Sequence, residues 1–196
     1  MNKPTLAHSA VARKSLLVVF SLFLAACSGE VTSPPANLHT TDASKALSGI
    51  VDGVYTFTVN PAQSASLPLG PSHLDLPAGA ICDLAASGYG PSTWDTPCTP
   101  EANTVVITAI VRNANTNNPS VEFSPALRFN PATNVQLFLY VTNAATLSNM
   151  AVMKYCNILT CVDESLTDAS LKTTIDANAG LVFRRIKHFS GYVVAE

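Results

Sequence analysis

Residues 104–112 read TVVITAIVR, with Val105, Ile107, Ala109 and Val111 falling on one face at a period of two. That period places alternate side chains on opposite sides of a sheet. The run is short, rich in β-branched residues and free of Gly and Pro, so it reads as a strand. The same grammar recurs on either side of it. Residues 54–59 alternate Tyr55, Phe57 and Val59 against Thr56 and Thr58, and residues 135–141 and 181–194 are similarly rich in branched and aromatic side chains. Asn60-Pro61, Gly70-Pro71, Gly90-Pro91, Asn118-Pro119 and Asn130-Pro131 punctuate the runs. About eight to ten short strands at this spacing predict an all-β chain folded as an antiparallel β-sandwich. Helix is minor, with residues 163–175 the best candidate.

The N-terminus has a different grammar. Lys3, Arg13 and Lys14 stand without an acidic residue, followed by an apolar run of 11 residues, 16–26, broken only by Ser21. This is the charged region and short hydrophobic region of an export signal, too short for the roughly 20 residues of a spanning helix. Residues 28–42, SGEVTSPPANLHTTD, are polar and carry paired prolines, as a flexible tether does. The expected organisation is a signal peptide over 1–26, a tether over 27–48 and a sandwich domain over 49–196.

The stretch Leu24, Ala25, Ala26 and Cys27 resembles the lipobox of bacterial lipoproteins. The resemblance implies cleavage after Ala26, a diacylglycerol on the Cys27 sulfur and attachment to a membrane through it. Ser28 rather than Asp in the next position implies the outer membrane of a bacterial envelope. Two or more acyl chains suffice for stable anchoring. Without residues 1–26 the chain has 170 residues, eight cations and thirteen acids, hence a net charge of −5. A basic nucleic-acid surface is excluded by that balance.

Four cysteines remain beyond the anchor: Cys82, Cys98, Cys156 and Cys161. In an oxidising compartment an even count reads as two disulfides. Three connectivities are open, and local pairing of 82 with 98 and 156 with 161 is the expectation. Cys156 and Cys161 flank residues 157–160 as if facing across a hairpin, whereas a four-cysteine zinc site would need repeated close spacing. Residues 83–102, DLAASGYGPSTWDTPCTPEA, read as a surface excursion pinned by the first pair and bearing Tyr89 and Trp94. Exposed, those two rings suit contact with a glycan or peptide. The plainer expectation folds Trp94 back over the disulfide.

Two further stretches resemble the ZU-type domain of zonula occludens proteins, netrin receptors and ankyrins, found also in bacterial surface proteins. In HLDLPAGAI (73–81), Leu74, Leu76, Pro77, Gly79, Ala80 and Ile81 resemble a strand ending in a Pro-x-Gly-Ala turn. In VEFSPALRFNPATNVQLFLYV (121–141), Phe123, Pro125, Leu127, Phe129 and Pro131 resemble a later strand, turn and strand. The family's paired glycines near the start are absent here, and the 82–98 insertion is unusual for it. The resemblance implies a ZU-like sandwich that mediates interactions.

In the terminal RRIKHFSGYVVAE (184–196), His188-Phe189-Ser190 resembles the site at which some relatives cut their own backbone. Ser190 Oγ would attack the Phe189 carbonyl carbon, the peptide bond would break to give an ester and a free amine, and water would hydrolyse the ester. If residues 188–190 are strand, His188 and Ser190 share a face and the imidazole can serve as general base. The plainer reading is that His188, Phe189 and Tyr192 complete the last strand.

Other chemistry is sparse. His39 and His73 lack neighbours at metal-ligand spacing, Asp52, Asp75, Asp83 and Asp95 read as loop acids, and no phosphate loop, dinucleotide fingerprint or nucleophile elbow is present, so no metal or cofactor is implied. The sequence therefore favours a lipid-anchored envelope protein whose sandwich binds a surface protein or glycan, or assembles at the surface. Self-processing at Phe189-Ser190 and a structural spacer in an envelope assembly are the alternatives.

Overall fold

The computed structural model describes residues 52–147 and 151–195. Ala26, Cys27, the signal peptide, the tether and His39 lie outside the described residues. Eleven strands run in chain order: β1 Gly53–Val59, β2 Ala65–Leu69, β3 Ser72–Leu76, β4 Val105–Arg112, β5 Ser120–Ser124, β6 Gln136–Tyr140, β7 Val152–Cys156, β8 Cys161–Val162, β9 Thr174–Asp176, β10 Leu181–Arg185 and β11 Gly191–Ala195. They form two antiparallel sheets. One has six strands in the order β1-β4-β5-β11-β7-β8, the other five in the order β2-β3-β6-β10-β9. The all-β sandwich expected from the alternation is the fold observed.

Periodicity decides which side of each strand meets the other sheet. Ile107, Ala109 and Val111 of β4 are buried, as are Leu137 and Leu139 of β6, Val121 and Phe123 of β5, and Tyr192 and Val194 of β11. These inner faces interdigitate into one core that also takes Leu74, Phe129, Val182 and Phe189. The outer face of β6 and its neighbours is finished differently: His73, Phe138 and Phe183 sit side by side on three adjacent strands and stack, with ring centroids 4.2 and 4.9 Å apart. Cross-strand rings of this kind stabilise a sheet from its solvent side. The turn at Pro77-Ala78-Gly79 needs glycine, because Gly79 has φ +71° and its N–H donates to Pro61 O at 2.8 Å.

Two expectations need correction. Residues 163–175 do not form a helix but two isolated 3-10 turns, Glu164–Leu166 and Ala169–Leu171, followed by β9. Asp163 and Asp168 each accept a hydrogen bond from the backbone two residues on, which starts a turn twice within six residues. The β-branched run of Thr173, Thr174 and Ile175 then favours strand. Second, residues 181–194 are not one continuous strand. β10 belongs to the five-stranded sheet and β11 to the six-stranded one, and residues 186–190 cross between them. Ile186, Lys187, His188 and Phe189 are all buried in succession, which no two-faced strand allows.

Both local disulfides are present. Cys82 and Cys98 are bridged with Cα atoms 5.7 Å apart, and Cys156 and Cys161 face each other across the β7–β8 hairpin. Asn157 organises that hairpin, its N–H donating to Thr160 O and its Oδ1 accepting from Leu159 and Thr160 N–H. Replacing Leu137, fully buried on the inner face of β6, by Ala is expected to cost about 2–5 kcal/mol. Urea unfolding of the mature chain with disulfides intact measures it.

Candidate functional site

The crossing segment is lined with charge. Arg184 is buried at the end of β10, where its guanidinium donates to Met153 O at 2.8 Å and pairs with Glu164. Glu164 also receives His188 Nε2 at 3.2 Å on its other oxygen. Lys187, only 6% exposed, is held by both Asp95 and Asp168. The neighbouring long loop is secured by Arg128, whose buried guanidinium donates to Ser87 O at 2.8 Å and to the Thr96 hydroxyl at 2.9 Å. Buried charges survive only when so paired.

Burial pushes the Glu164 carboxyl up, but the His188 hydrogen bond and the Arg184 charge outweigh it and hold the group below the ordinary carboxylate value. Asp168 is held at about 2, chiefly by its bond to Lys187. Burial alone would lower Lys187, yet the bonds from Asp168 and Asp95 raise it. Burial raises the Tyr192 hydroxyl well above its usual value. That hydroxyl donates to His188 O at 2.6 Å.

His188 is fully buried in a cage of rings. Trp94 stacks on it with centroids 3.9 Å apart, and Tyr155 meets it edge-on at 4.9 Å. Trp94 thus folds back onto the body of the protein, its ring packed on the imidazole of His188. The indole that the sequence left as a binding candidate is half-buried in this stack. Nor do His188 and Ser190 share a strand face. The imidazole is committed to Glu164, while Ser190 Oγ donates to Cys156 O at 3.1 Å.

Over the outer side of β11 lies a groove of about 620 Å³. Its floor is low because Ser120, Ser190 and Gly191 present little or no side chain there; a Cβ on Gly191 would stand 3.1 Å from Cys156 O. One wall is Tyr89, 45% exposed, on the loop closed by Cys82–Cys98. Ile158, at the tip of the hairpin closed by Cys156–Cys161, also lines the groove. Tyr89 is fixed in place by its hydroxyl, which donates to Phe189 O at 3.0 Å. Arg112 and Glu122 pair at 3.3 Å on the rim.

Of the residues the sequence singled out, the structure gathers Tyr89, Phe189, Ser190, Cys156 and Cys161 at the groove and puts Trp94 and His188 beneath the adjoining loop. Three of the four aspartates hold loops: Asp52 accepts Ala114 N–H, Asp83 caps the short helix Leu84–Ser87, and Asp95 binds Lys187, whereas Asp75 is not a loop acid but lies within β3, 4.0 Å from His73 on the same strand. Glu164, Arg184, Lys187 and Arg128 were missed. Their one signal was charge at positions that an apolar alternation assigns to the interior. No family model, curated protein or solved structure matches the chain.

Because Asp168 is depressed from 3.8 to about 2 in the folded state, its pairing with Lys187 stabilises the fold fully above about pH 4 and is lost as pH falls through 2. Asp168→Asn is expected to lower stability at neutral pH and to flatten the acid limb between pH 4 and 2. Denaturant midpoints across that range test this.

Proposed function

We propose that this chain is a lipid-anchored protein of the bacterial cell envelope, held on the outer membrane through Cys27, whose sandwich binds a surface partner in the groove over β11. The observation that carries the reading is the convergence of two separately disulfide-closed loops on one groove. A site whose walls are rigid before binding loses little entropy when it is occupied. A floor of small residues between an exposed tyrosine and an exposed isoleucine suits apolar contact with polar anchoring at the rim. The ZU-type resemblance of residues 73–81 and 121–141 supports an interaction role, and the lipobox resemblance supports the anchor.

One observation favours self-processing as a second reading. The carbonyl of Phe189, the one Ser190 Oγ would attack, already accepts a hydrogen bond from Tyr89, as a donor for a developing oxyanion must supply. His188 Nδ1 has no hydrogen-bond partner among the described residues. The separate commitments of His188 and Ser190 weigh against it and place binding first.

Three measurements separate these readings. Cys27→Ser is expected to move the protein from the membrane to the soluble fraction of the envelope. Ser120→Trp, which fills the groove, is expected to abolish co-purification of the component captured by the anchored chain, with an unchanged melting temperature; retention of that component overturns groove binding. Mass spectrometry of the denatured mature chain is expected to show one intact species. Loss of Ser190 to Glu196, abolished in Ser190→Ala, would establish the second reading instead.

A further inference from the structure

The β7–β8 hairpin is unusual in what it shows to water. Ile158 and Leu159 at its tip are 101% and 88% exposed, so both side chains face water almost completely. From Asn157 to Val162 there is no charged residue, and the disulfide with the Asn157 hydrogen bonds fixes the tip in one conformation. Two fully solvated aliphatic side chains on a stiffened projection mark a contact element. The apolar groove lies directly beside it, since Ile158 is itself part of the groove wall.

A knob and an apolar groove side by side on one surface are self-complementary. A two-fold axis over the groove would bring the tip of each copy to the floor of the other, so that one contact is made twice. The rim fits the same symmetry. Arg112 and Glu122 are both more than half exposed and paired at 3.3 Å, and a two-fold operation sets the arginine of one copy toward the glutamate of the other. Like charges need not meet. We propose that the groove partner is a second copy of this chain, docked by reciprocal insertion of the Ile158-Leu159 tip.

The proposal rests on the groove reading above and names its occupant. Two aliphatic side chains in each direction make an interface at the small end of the range, below about 1,200 Å² in total, so the association is weak in free solution. Anchoring through Cys27 would confine copies to one membrane plane and raise their effective concentration.

Sedimentation velocity of the mature chain, made soluble by Cys27→Ser with tether and domain retained, tests it from 1 µM to 1 mM. The expected result is a monomer passing to a dimer as concentration rises. Ile158→Ser with Leu159→Ser, both fully solvent-facing, and separately Ser120→Trp, are each expected to hold the chain monomeric with an unchanged circular dichroism spectrum. A monomer throughout the range overturns the proposal, and so does a dimer indifferent to either variant. A chain that stays monomeric but co-sediments with phosphatidylethanolamine–phosphatidylglycerol vesicles through the tip overturns it in favour of a membrane seat. If the wild type is monomeric while Ser120→Trp still strips the captured component, self-association falls and groove binding stands.

Discussion

Residues 186–190 have to leave one sheet and enter the other through the packed interior, and a backbone that does so carries polar groups that water cannot reach. Each finds a partner from a different part of the fold. Ile186 N–H donates to Val135 O, Lys187 O accepts from Phe129, His188 O from the Tyr192 hydroxyl, Phe189 N–H reaches Leu127 O, and Ser190 O accepts from Phe123. The side chains repeat the pattern with charge, Arg184 and His188 on Glu164, and Lys187 on Asp95 and Asp168. This crossing is what joins the two sheets, the long loop and the 3-10 turns into one body. Removing one member of such a set leaves a buried charge without its counterion, a loss larger than the pair's own net worth.

The groove follows from the same crossing. Because the chain returns to the six-stranded sheet at Gly191, the strand that lies between β5 and β7 begins with Gly191 directly after Ser190, two of the smallest residues available. The sheet surface is therefore lowest where β11 starts. The loop closed by Cys82–Cys98 is drawn toward that place by Arg128, Asp95 and the Trp94–His188 stack, which leaves Tyr89 standing at its edge. The hairpin closed by Cys156–Cys161 borders the same place through the register of β7 with β11. Core packing and the shape of the groove thus share Val121, Phe123, Phe189 and Tyr192.

Much of the architecture was legible in local chemistry. Alternation in residues 54–59 and 104–112, with proline and glycine breaks between runs, specifies strands and their inner faces because side-chain direction in a strand depends only on position along the chain. The hairpin around residues 157–160 was legible for the same reason, since five residues of separation keep Cys156 and Cys161 together in any extended pairing. The run 181–194 was not. Its composition is that of a long strand throughout, and nothing local distinguishes a strand that continues from one that changes sheet.

What the sequence by itself determined is the all-β character and the in-and-out pattern of most strands, both set by interactions within a few residues; it favoured local pairing of the cysteines while leaving three connectivities open. Tertiary structure alone decided where the charges of Arg184, Lys187 and Glu164 would go, that Trp94 would stack on His188 and Tyr89 would be held at the groove by Phe189 O, and that two loops some 60 residues apart would line one groove beside β11. Those outcomes depend on which sheet each strand joins, and the free energy that settles it comes from pairing and burial between distant segments, which no local window contains.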